Sequence, residues 1–297
     1  MRILLTGSSG LIGHAVLADL TSEGHHVVCL TRSKSRASSR RISWDPEAGI
    51  IDADELEQFD AVVHLAGESI MGRWTPQKKA RILESRVKGT ELLCESLAHL
   101  RGRPIVLVSA SAVGYYGDRG DQVMNEKSSE GSMFLSKVAK AWEAATAAAT
   151  RHGIRVVNLR IGFVLSKAGG GLATMLLPFK LGVGGRVGSG HQYISWITID
   201  DVVGAISHAI LEDSLRGPVN AVAPHPVTNR EFTKTLGRVL WRPTIFPLPA
   251  SAARLVMGQM ANELLLASTR VSPARLLASG YEFRFPELKG ALRHVLG

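Results

Sequence analysis

Short apolar runs alternate with longer amphipathic segments along the first two-thirds of the chain, and this alternation predicts strands and helices in turn. The predicted helices are Gly13–Glu23, Gln77–Leu100 and Met133–His152. The predicted strands are Arg2–Leu5, His26–Leu30, Arg41–Trp44, Ala61–Leu65, Pro104–Ser109 and Arg155–Arg160. Apolar strands joined by helical crossovers form a parallel sheet covered on both faces. The pattern therefore predicts an α/β fold with a doubly wound parallel sheet.

After Arg160 the alternation of predicted strands and helices becomes irregular, which indicates a second, smaller unit. Ser166–His191 is rich in glycine, which favours a loop that wraps a ligand or, alternatively, a flexible surface loop. Trp196–Leu211 predicts a strand that leads into a helix. We expect residues 1–165, with 195–215 returning to them, to form the sheet domain. Residues 166–194 and 216–297 are expected to form a smaller C-terminal substrate lobe.

A glycine-rich loop follows the first predicted strand and opens the first predicted helix. It has the pattern GxxGxxG, with Thr6 before it. Such glycines allow a tight turn, a close approach of the backbone to a pyrophosphate, and close packing of helix on strand. The helix N-terminus then offers N–H groups to the phosphates. The loop predicts a Rossmann-type dinucleotide site whose contacts are Thr6, Gly7, Ser9, Gly10, Leu11, Ile12 and Gly13.

The residues after the second predicted strand indicate which dinucleotide binds. NAD-specific folds place Asp or Glu there to hold the ribose 2′-hydroxyl. This chain has Arg32 and Ser33 instead. Because a guanidinium binds a 2′-phosphate through charge-assisted hydrogen bonds, we expect the cofactor to be NADP(H).

The basic composition fits this cofactor but admits other anionic ligands. The chain has 35 Lys and Arg against 26 Asp and Glu, a net charge of +9 that suits nucleic acid, an anionic membrane surface or a phosphate-rich cofactor. No nucleic-acid module accompanies the basic clusters, so we do not expect nucleic acid as a partner.

Neither a secretory leader nor a membrane span is predicted, because every apolar stretch is short or interrupted by polar residues. Cys29 and Cys94 stand apart without metal-ligand spacing, so no metal is expected. We therefore expect a cytoplasmic protein with a small-molecule substrate, with no membrane partner, and with a homodimer as one option.

Several motifs together resemble the atypical, extended short-chain dehydrogenase/reductases, in particular an epimerase-like subgroup with its own C-terminal domain of unknown function. They run nearly end to end and include TGSSGLIG at 6–13, LTRS at 30–33, VVHLAGE at 62–68 and SASAVGYYGD at 109–118. The resemblance implies cofactor contacts from Asp45 to adenine and from Leu65, Ala66 and Gly67 beneath the nicotinamide half. It adds Glu68, Arg86 and Ser109 to the cofactor site. It places Ser111 where a serine orients the substrate, and Gln192 and Trp196 on the substrate side.

The catalytic pair of the wider family is missing. That family uses a Tyr and a Lys four residues later on one helix face, where the Lys lowers the Tyr pKa. Aligned on Trp142 and Glu143, the two positions hold Leu135 and Ala139; aligned on Ser136 and Lys137, they hold Met133 and Lys137.

Substitutes for the missing pair come from several places in the sequence. Tyr115 or Tyr116 could donate a proton, although both could equally be aromatics that pack over the cofactor. Arg86, where the family has an Asn, could stabilise an anionic substrate or an oxyanion, or it could pair with Glu84 or with the cofactor phosphates. Glu68 could act as acid or base, and Lys137 could lie near the ribose. His64 is expected to be a core histidine, and Arg160 is expected to form a structural pair.

Three functions remain open from the sequence. The first is an NADP-dependent, epimerase-like oxidoreductase that works without the Tyr–Lys pair on a small anionic or sugar-like substrate. The second is a non-catalytic NADPH-binding regulator or sensor. The third is a nucleotide-sugar epimerase or dehydratase, against which the missing tyrosine counts most.

Overall fold

The computed structural model describes residues 1–32 and 41–297 and contains one large mixed sheet. Its eight strands lie in the order β12-β8-β6-β5-β1-β2-β3-β4, and all neighbours are parallel except β3 and the edge strand β4. These strands are β1 (Arg2–Thr6), β2 (His26–Thr31), β3 (Arg41–Asp45), β4 (Ile50–Ile51), β5 (Ala61–His64), β6 (Val106–Ala112), β8 (Arg155–Ile161) and β12 (Gly217–Ala221). The order reverses between β1 and β5, which opens a crevice at their carboxyl ends.

Helices cover both faces of this sheet, as the apolar strands predict. Val16 of α1 and Ile206 of α6 pack on one face, and Leu93 and Leu97 of α2 pack on the other. The helices are α1 (Leu11–Ser22), α2 (Pro76–His99), α3 (Phe134–Ala144), α4 (Ala147–Arg151), α5 (Gly170–Lys180), α6 (Ile199–Leu211), α7 (Asn229–Leu240), α8 (Ala250–Met257), α9 (Gln259–Ala261), α10 (Ala274–Ala278) and α11 (Leu288–Leu296). This confirms the predicted doubly wound α/β fold.

The smaller lobe is built from α5, α7 and α11 around a separate apolar core that includes Leu172, Trp196 and Phe232. Short strand pairs complete it: β7 (Val123–Met124) with β14 (Arg270–Val271), β9 (Phe163–Leu165) with β11 (Trp196–Thr198), and β10 (Tyr193–Ile194) with β13 (Val227–Thr228). The buried Asp201 carboxylate accepts backbone N–H bonds from Arg284 (2.7 Å) and Phe285 (3.1 Å). That contact fastens the last segment of the chain to α6.

Three segments differ from the sequence-based expectation. The glycine-rich stretch contains helix α5, because Leu172, Leu176 and Phe179 share one buried face at helical spacing. The predicted helix 133–152 is split after Ala144, where the Thr146 hydroxyl donates to the Glu143 carbonyl (2.7 Å).

The third difference is β12, which was expected in the smaller lobe and instead pairs with β8 in the main sheet. No helix in the described ranges 1–32 and 41–297 is long and apolar enough to cross a membrane.

Candidate functional site

The glycine loop after β1 has room for glycine alone at two of its three glycine positions. Gly7 has φ +72°, and a Cβ on it would lie 2.7 Å from the Leu65 carbonyl carbon. A Cβ on Gly13 would lie 2.1 Å from the Gly7 carbonyl oxygen, and one on Gly10 would lie 3.3 Å from the same oxygen. The loop therefore packs closely between the end of β5 and the start of α1, and it faces the cleft with Gly7, Ser8, Ser9 and Gly10.

A cleft of about 840 Å³ opens directly over this loop and runs along α1 and β2. Its lining brings together the loop, the end of β2 and the segment after β5. The predicted contacts found there are Gly7, Ser9, Gly10, Arg32, Leu65, Ala66, Gly67 and Glu68. Ser33 lies outside the described residues. Leu11, Ile12 and Gly13 form the first turn of α1, beside the cleft wall.

Thr6 supports the cleft from below through a chain of hydrogen bonds. Its hydroxyl oxygen accepts the N–H groups of Leu65 and Ala66, both at 3.1 Å. The hydroxyl proton is therefore donated to Nδ1 of His64, 2.8 Å away. Nε2–H of His64 then donates to Thr90 (2.9 Å), whose hydroxyl donates to the Arg86 carbonyl. Burial lowers the pKa of His64 to about 4, which keeps the ring neutral and confirms its place in the core.

Arg86 lies under the segment that follows β5. Its Nη1 donates to the carbonyls of Glu68 and Ile82, both at 3.0 Å, and its guanidinium stacks on the Trp142 ring at 4.9 Å. Burial lowers the pKa of Arg86 to about 10, but this value is still well above neutral pH, and the side chain therefore remains cationic. A Cβ on Gly67 would lie 3.2 Å from the guanidinium carbon. Arg86 thus holds the cleft wall in place.

Glu68 is an ionised carboxylate at the edge of the cleft. It accepts a hydrogen bond from Lys78 at 2.6 Å, and Nε of Arg81 lies 3.8 Å away. The Lys78 bond, together with the charges of Lys78, Arg81 and Arg32, lowers the pKa of Glu68. Since a carboxylate of lowered pKa is deprotonated at neutral pH, Glu68 is a poor general acid there.

The adenine end of the cleft differs from the expectation for Asp45. Its Oδ1 accepts the N–H groups of Glu47 and Ala48, both at 3.1 Å, and so caps the turn after β3. The cleft is lined instead by the neighbours Trp44, Pro46 and Glu47. These three residues are not among the contacts predicted from the sequence.

Ser111 belongs to a buried polar network rather than to the lining of the cleft. Its hydroxyl donates to Glu143 at 2.7 Å. Arg160 donates to both oxygens of the same carboxylate, at 2.7 and 2.8 Å. Burial acts to lower the pKa of Arg160, but the hydrogen bonds and charge of Glu143 outweigh it and raise the pKa. The structure thus gives Arg160 the structural pairing expected of it.

Tyr116 extends this network and is fully buried. Its hydroxyl donates to Asn220 at 2.7 Å and accepts from Arg160 at 2.9 Å, and burial raises its pKa. The half-buried Tyr115 ring lies 3.5 Å from the guanidinium carbon of Arg160. Both tyrosines therefore pack on Arg160 and neither lines the cleft, whereas the alternative that the sequence left open was packing over the cofactor.

Helix α3 carries the positions of the missing catalytic pair. Leu135 packs in an apolar cluster with Trp74, Phe134, Met257 and Met260, and Ala139 is buried.

Met133 and Lys137 line a separate groove of about 460 Å³, shared with Lys79 and Glu263. The Glu263 carboxylate caps the helix by accepting the N–H groups of Phe134 (3.2 Å) and Leu135 (2.7 Å). Lys137 is therefore not among the residues that line the cofactor cleft.

The remaining predicted residues are buried away from the cleft. Gln192 donates to the carbonyls of Val187 (3.0 Å) and Leu265 (2.9 Å), which ties two loops of the lobe together. Trp196 is fully buried in the lobe core and donates to the His225 carbonyl (3.1 Å). Ser109 is fully buried on β6, and its hydroxyl has no hydrogen-bond partner within residues 1–32 and 41–297.

Comparison with protein families assigns both parts of the chain. Residues 3–221 match the NAD dependent epimerase/dehydratase family, and residues 248–295 match a domain of unknown function, DUF1731. An epimerase family protein of Mycobacterium bovis is 42% identical over 294 residues, covering 99% of this chain and 97% of that protein.

Two solved structures are similar over the whole chain. The crystal structure of human epimerase family protein SDR39U1 with NADPH has a TM-score of 0.89 and 35% identity, covering 99% of each chain. A nucleoside-diphosphate sugar epimerase from Corynebacterium glutamicum has a TM-score of 0.84 and 38% identity, covering all of this chain and 58% of that one.

Proposed function

Because this chain belongs to the NAD dependent epimerase/dehydratase family, we propose that it binds NADP(H) in the cleft above the glycine loop. The observation that carries the proposal is Arg32, which lines the cleft at the end of β2, where an NAD-specific fold has a carboxylate. The lack of room for a side chain at Gly7 and Gly13 brings the loop close to the N-terminus of α1, which fits a pyrophosphate bound there. The human relative whose structure contains NADPH adds support.

Calorimetric titration of NADPH and NADH tests this assignment. Arg32→Glu should weaken NADPH binding by about tenfold or more, since a hydrogen bond to a charged group contributes roughly 1.5–3 kcal/mol and the new carboxylate repels the phosphate. NADH binding should change far less. Lys127→Glu, at an exposed position outside the cleft lining, has the same charge change and should leave both affinities unaltered. Equal losses for NADPH and NADH in Arg32→Glu would refute the phosphate contact.

For the reaction, the proposal is an epimerase-like oxidoreductase that works without a Tyr–Lys pair. Hydride transfer to a carbonyl, or back from the corresponding alcohol, needs a group that orients the substrate oxygen. Ser111, at the carboxyl end of β6, donates its proton to Glu143, so its oxygen can accept a hydrogen bond from a substrate hydroxyl but cannot donate one to a carbonyl. The role of Ser111 is then to orient the substrate, with the proton supplied from elsewhere.

A regulator or sensor is the second candidate, and the packing around Leu135 favours it. At Leu135, one of the two positions where the family's catalytic tyrosine would align, the side chain lies in an apolar cluster with Met257 and Met260 of the C-terminal segment. In this case NADPH would bind and alter the lobe without reacting. The third candidate, a nucleotide-sugar epimerase, draws support from the family and from the Corynebacterium glutamicum relative.

Single-turnover experiments with deuterated NADPH separate these candidates. The substrate panel contains small carbonyl compounds and nucleotide sugars. Label transfer to a substrate, lost in Ser111→Ala while NADPH affinity is kept, supports the oxidoreductase. No transfer, combined with NADPH-dependent changes in hydrogen exchange at residues 250–266, supports the sensor. The cytoplasmic location and the homodimer stay predictions.

A further inference from the structure

The smaller lobe exposes six large apolar side chains on two neighbouring segments, together called the lobe patch: Leu177, Leu181, Val183, Trp241, Ile245 and Phe246. Each of these residues is between 57% and 87% exposed. Two chain segments bring them together: Nε of Arg242 donates to the Lys180 carbonyl, and the Leu248 N–H donates to the Arg186 carbonyl, both at 2.8 Å. Large exposed apolar surfaces of this kind mark interaction sites.

The charge around the lobe patch has one sign. The two segments that build it, 166–199 and 232–262, contain seven Lys and Arg and no Asp or Glu, although the whole chain has 26 acidic residues. The cations are Lys167, Lys180, Arg186, Lys234, Arg238, Arg242 and Arg254, and all are exposed. None of them takes part in an ion pair within residues 1–32 and 41–297. The lobe patch therefore lies on two segments whose own charged side chains are all cations, with Asp200, Glu231 and Glu263 just beyond the ends of these segments.

This charge decides which occupant fits. Two copies of the chain meeting through their lobe patches would bring like charges together, which disfavours a dimer at this face. An anionic lipid surface offers acyl chains for the apolar side chains and headgroups for the cations. Trp241 and Phe246 are residue types that favour the membrane interface.

We propose that the lobe patch docks this protein peripherally on an anionic lipid surface. The earlier expectation of no membrane partner rested on spanning segments, whereas a peripheral contact needs only an exposed surface. The proposal does not depend on the reaction or on the cofactor. NADPH binding serves as the measure that each variant is folded.

Cosedimentation with vesicles tests the contact. The full chain should bind phosphatidylglycerol vesicles and bind phosphatidylcholine vesicles at least tenfold more weakly, because each cation near a charged surface adds attraction. Ile245→Ser/Phe246→Ser and Lys180→Glu/Arg238→Glu should each reduce binding on the order of tenfold to a hundredfold. Ile105→Ser, 64% exposed just before β6, and Lys127→Glu are the matched controls and should bind as the wild type does.

Tryptophan fluorescence locates the contact. Trp44, Trp74, Trp142 and Trp196 are at most 9% exposed, whereas Trp241 is 87% exposed. Brominated lipids should therefore quench the wild type but not Trp241→Phe.

Three results would overturn the proposal. They are equal binding to neutral and anionic vesicles, stronger binding to single-stranded DNA than to vesicles, and a lipid-free dimer that the lobe-patch variants dissociate.

Discussion

Acid destabilisation through His64 follows directly from the hydrogen-bond chain beneath the cleft. Burial lowers the pKa of this histidine from 6.5 to about 4. Between pH 6.5 and about 4, His64 binds a proton in the unfolded chain but not in the folded chain, so the free energy of unfolding falls as the pH falls. The contribution is complete above pH 6.5 and is lost by about pH 4. At about 1.4 kcal/mol per pKa unit, the loss is roughly 3 kcal/mol.

Urea unfolding at pH 7 and at pH 4.5 measures this effect. The wild type should lose roughly 2–3 kcal/mol between the two conditions through His64. His64→Gln should be less stable at pH 7 but should lose less on acidification, and His191→Gln, at an exposed position, should behave as the wild type does. Equal losses in the wild type and His64→Gln would refute the reasoning.

The same titration should weaken cofactor binding. A protonated His64 ring has no lone pair to accept the Thr6 proton, so the Thr6 hydroxyl must turn and release the N–H groups of Leu65 and Ala66. These residues line the cleft. NADPH affinity of the folded wild type should therefore fall only as the pH approaches 4, where the folded-state ring takes up its proton, and should change less in His64→Gln.

Two further changes test the packing of the site. Glu143→Ala leaves the Arg160 charge buried without its partner and should lower the free energy of unfolding by about 3–5 kcal/mol. The double variant Glu143→Leu/Arg160→Met removes both charges and should recover most of that loss. Equal thermal midpoints for the single and the double variant would contradict this expectation. Gly13→Ala should abolish NADPH binding in calorimetry because its Cβ would lie 2.1 Å from the Gly7 oxygen. Gly290→Ala, in α11 with nothing within 4 Å, should leave binding intact and stabilise the helix by about 0.5–1 kcal/mol.

The cofactor loop could be predicted from the sequence because its physics is local. Gly7 and Gly13 are six residues apart, and the crowding that excludes a side chain at Gly13 comes from the Gly7 carbonyl itself. The apolar periodicity of the strands is equally local, so the sheet domain was predictable. The position of β12 could not be predicted, because this five-residue strand contains a glycine and a proline and joins the sheet only by pairing with β8, which is distant in the sequence.

The polar network around Ser111 could not be predicted because its partners are distant in the chain. Ser111 and Glu143 are 32 residues apart, and Tyr116 and Asn220 are 104 apart. A sequence pattern shows that a serine or tyrosine stands near the carboxyl end of a strand, but the packing of α3 on β6 and β8 decides what its hydroxyl faces. The sequence alone therefore leaves Tyr116 as a candidate acid, whereas in the fold its hydroxyl lies between Arg160 and Asn220.

Leu135, one of the two positions where the family's tyrosine would align, packs against the C-terminal domain. A tyrosine at this position would need a polar space toward the cofactor, whereas Leu135 joins an apolar cluster with Met257 and Met260. The same segment of the chain supplies Glu263, which caps α3 at the N–H groups of Phe134 and Leu135. Because one segment provides both the apolar cover and the cap, the lobe is fixed on the helix that would carry the catalytic pair. Any chemistry here must therefore come from groups outside that helix face, or from a movement of residues 257–263 that uncovers it.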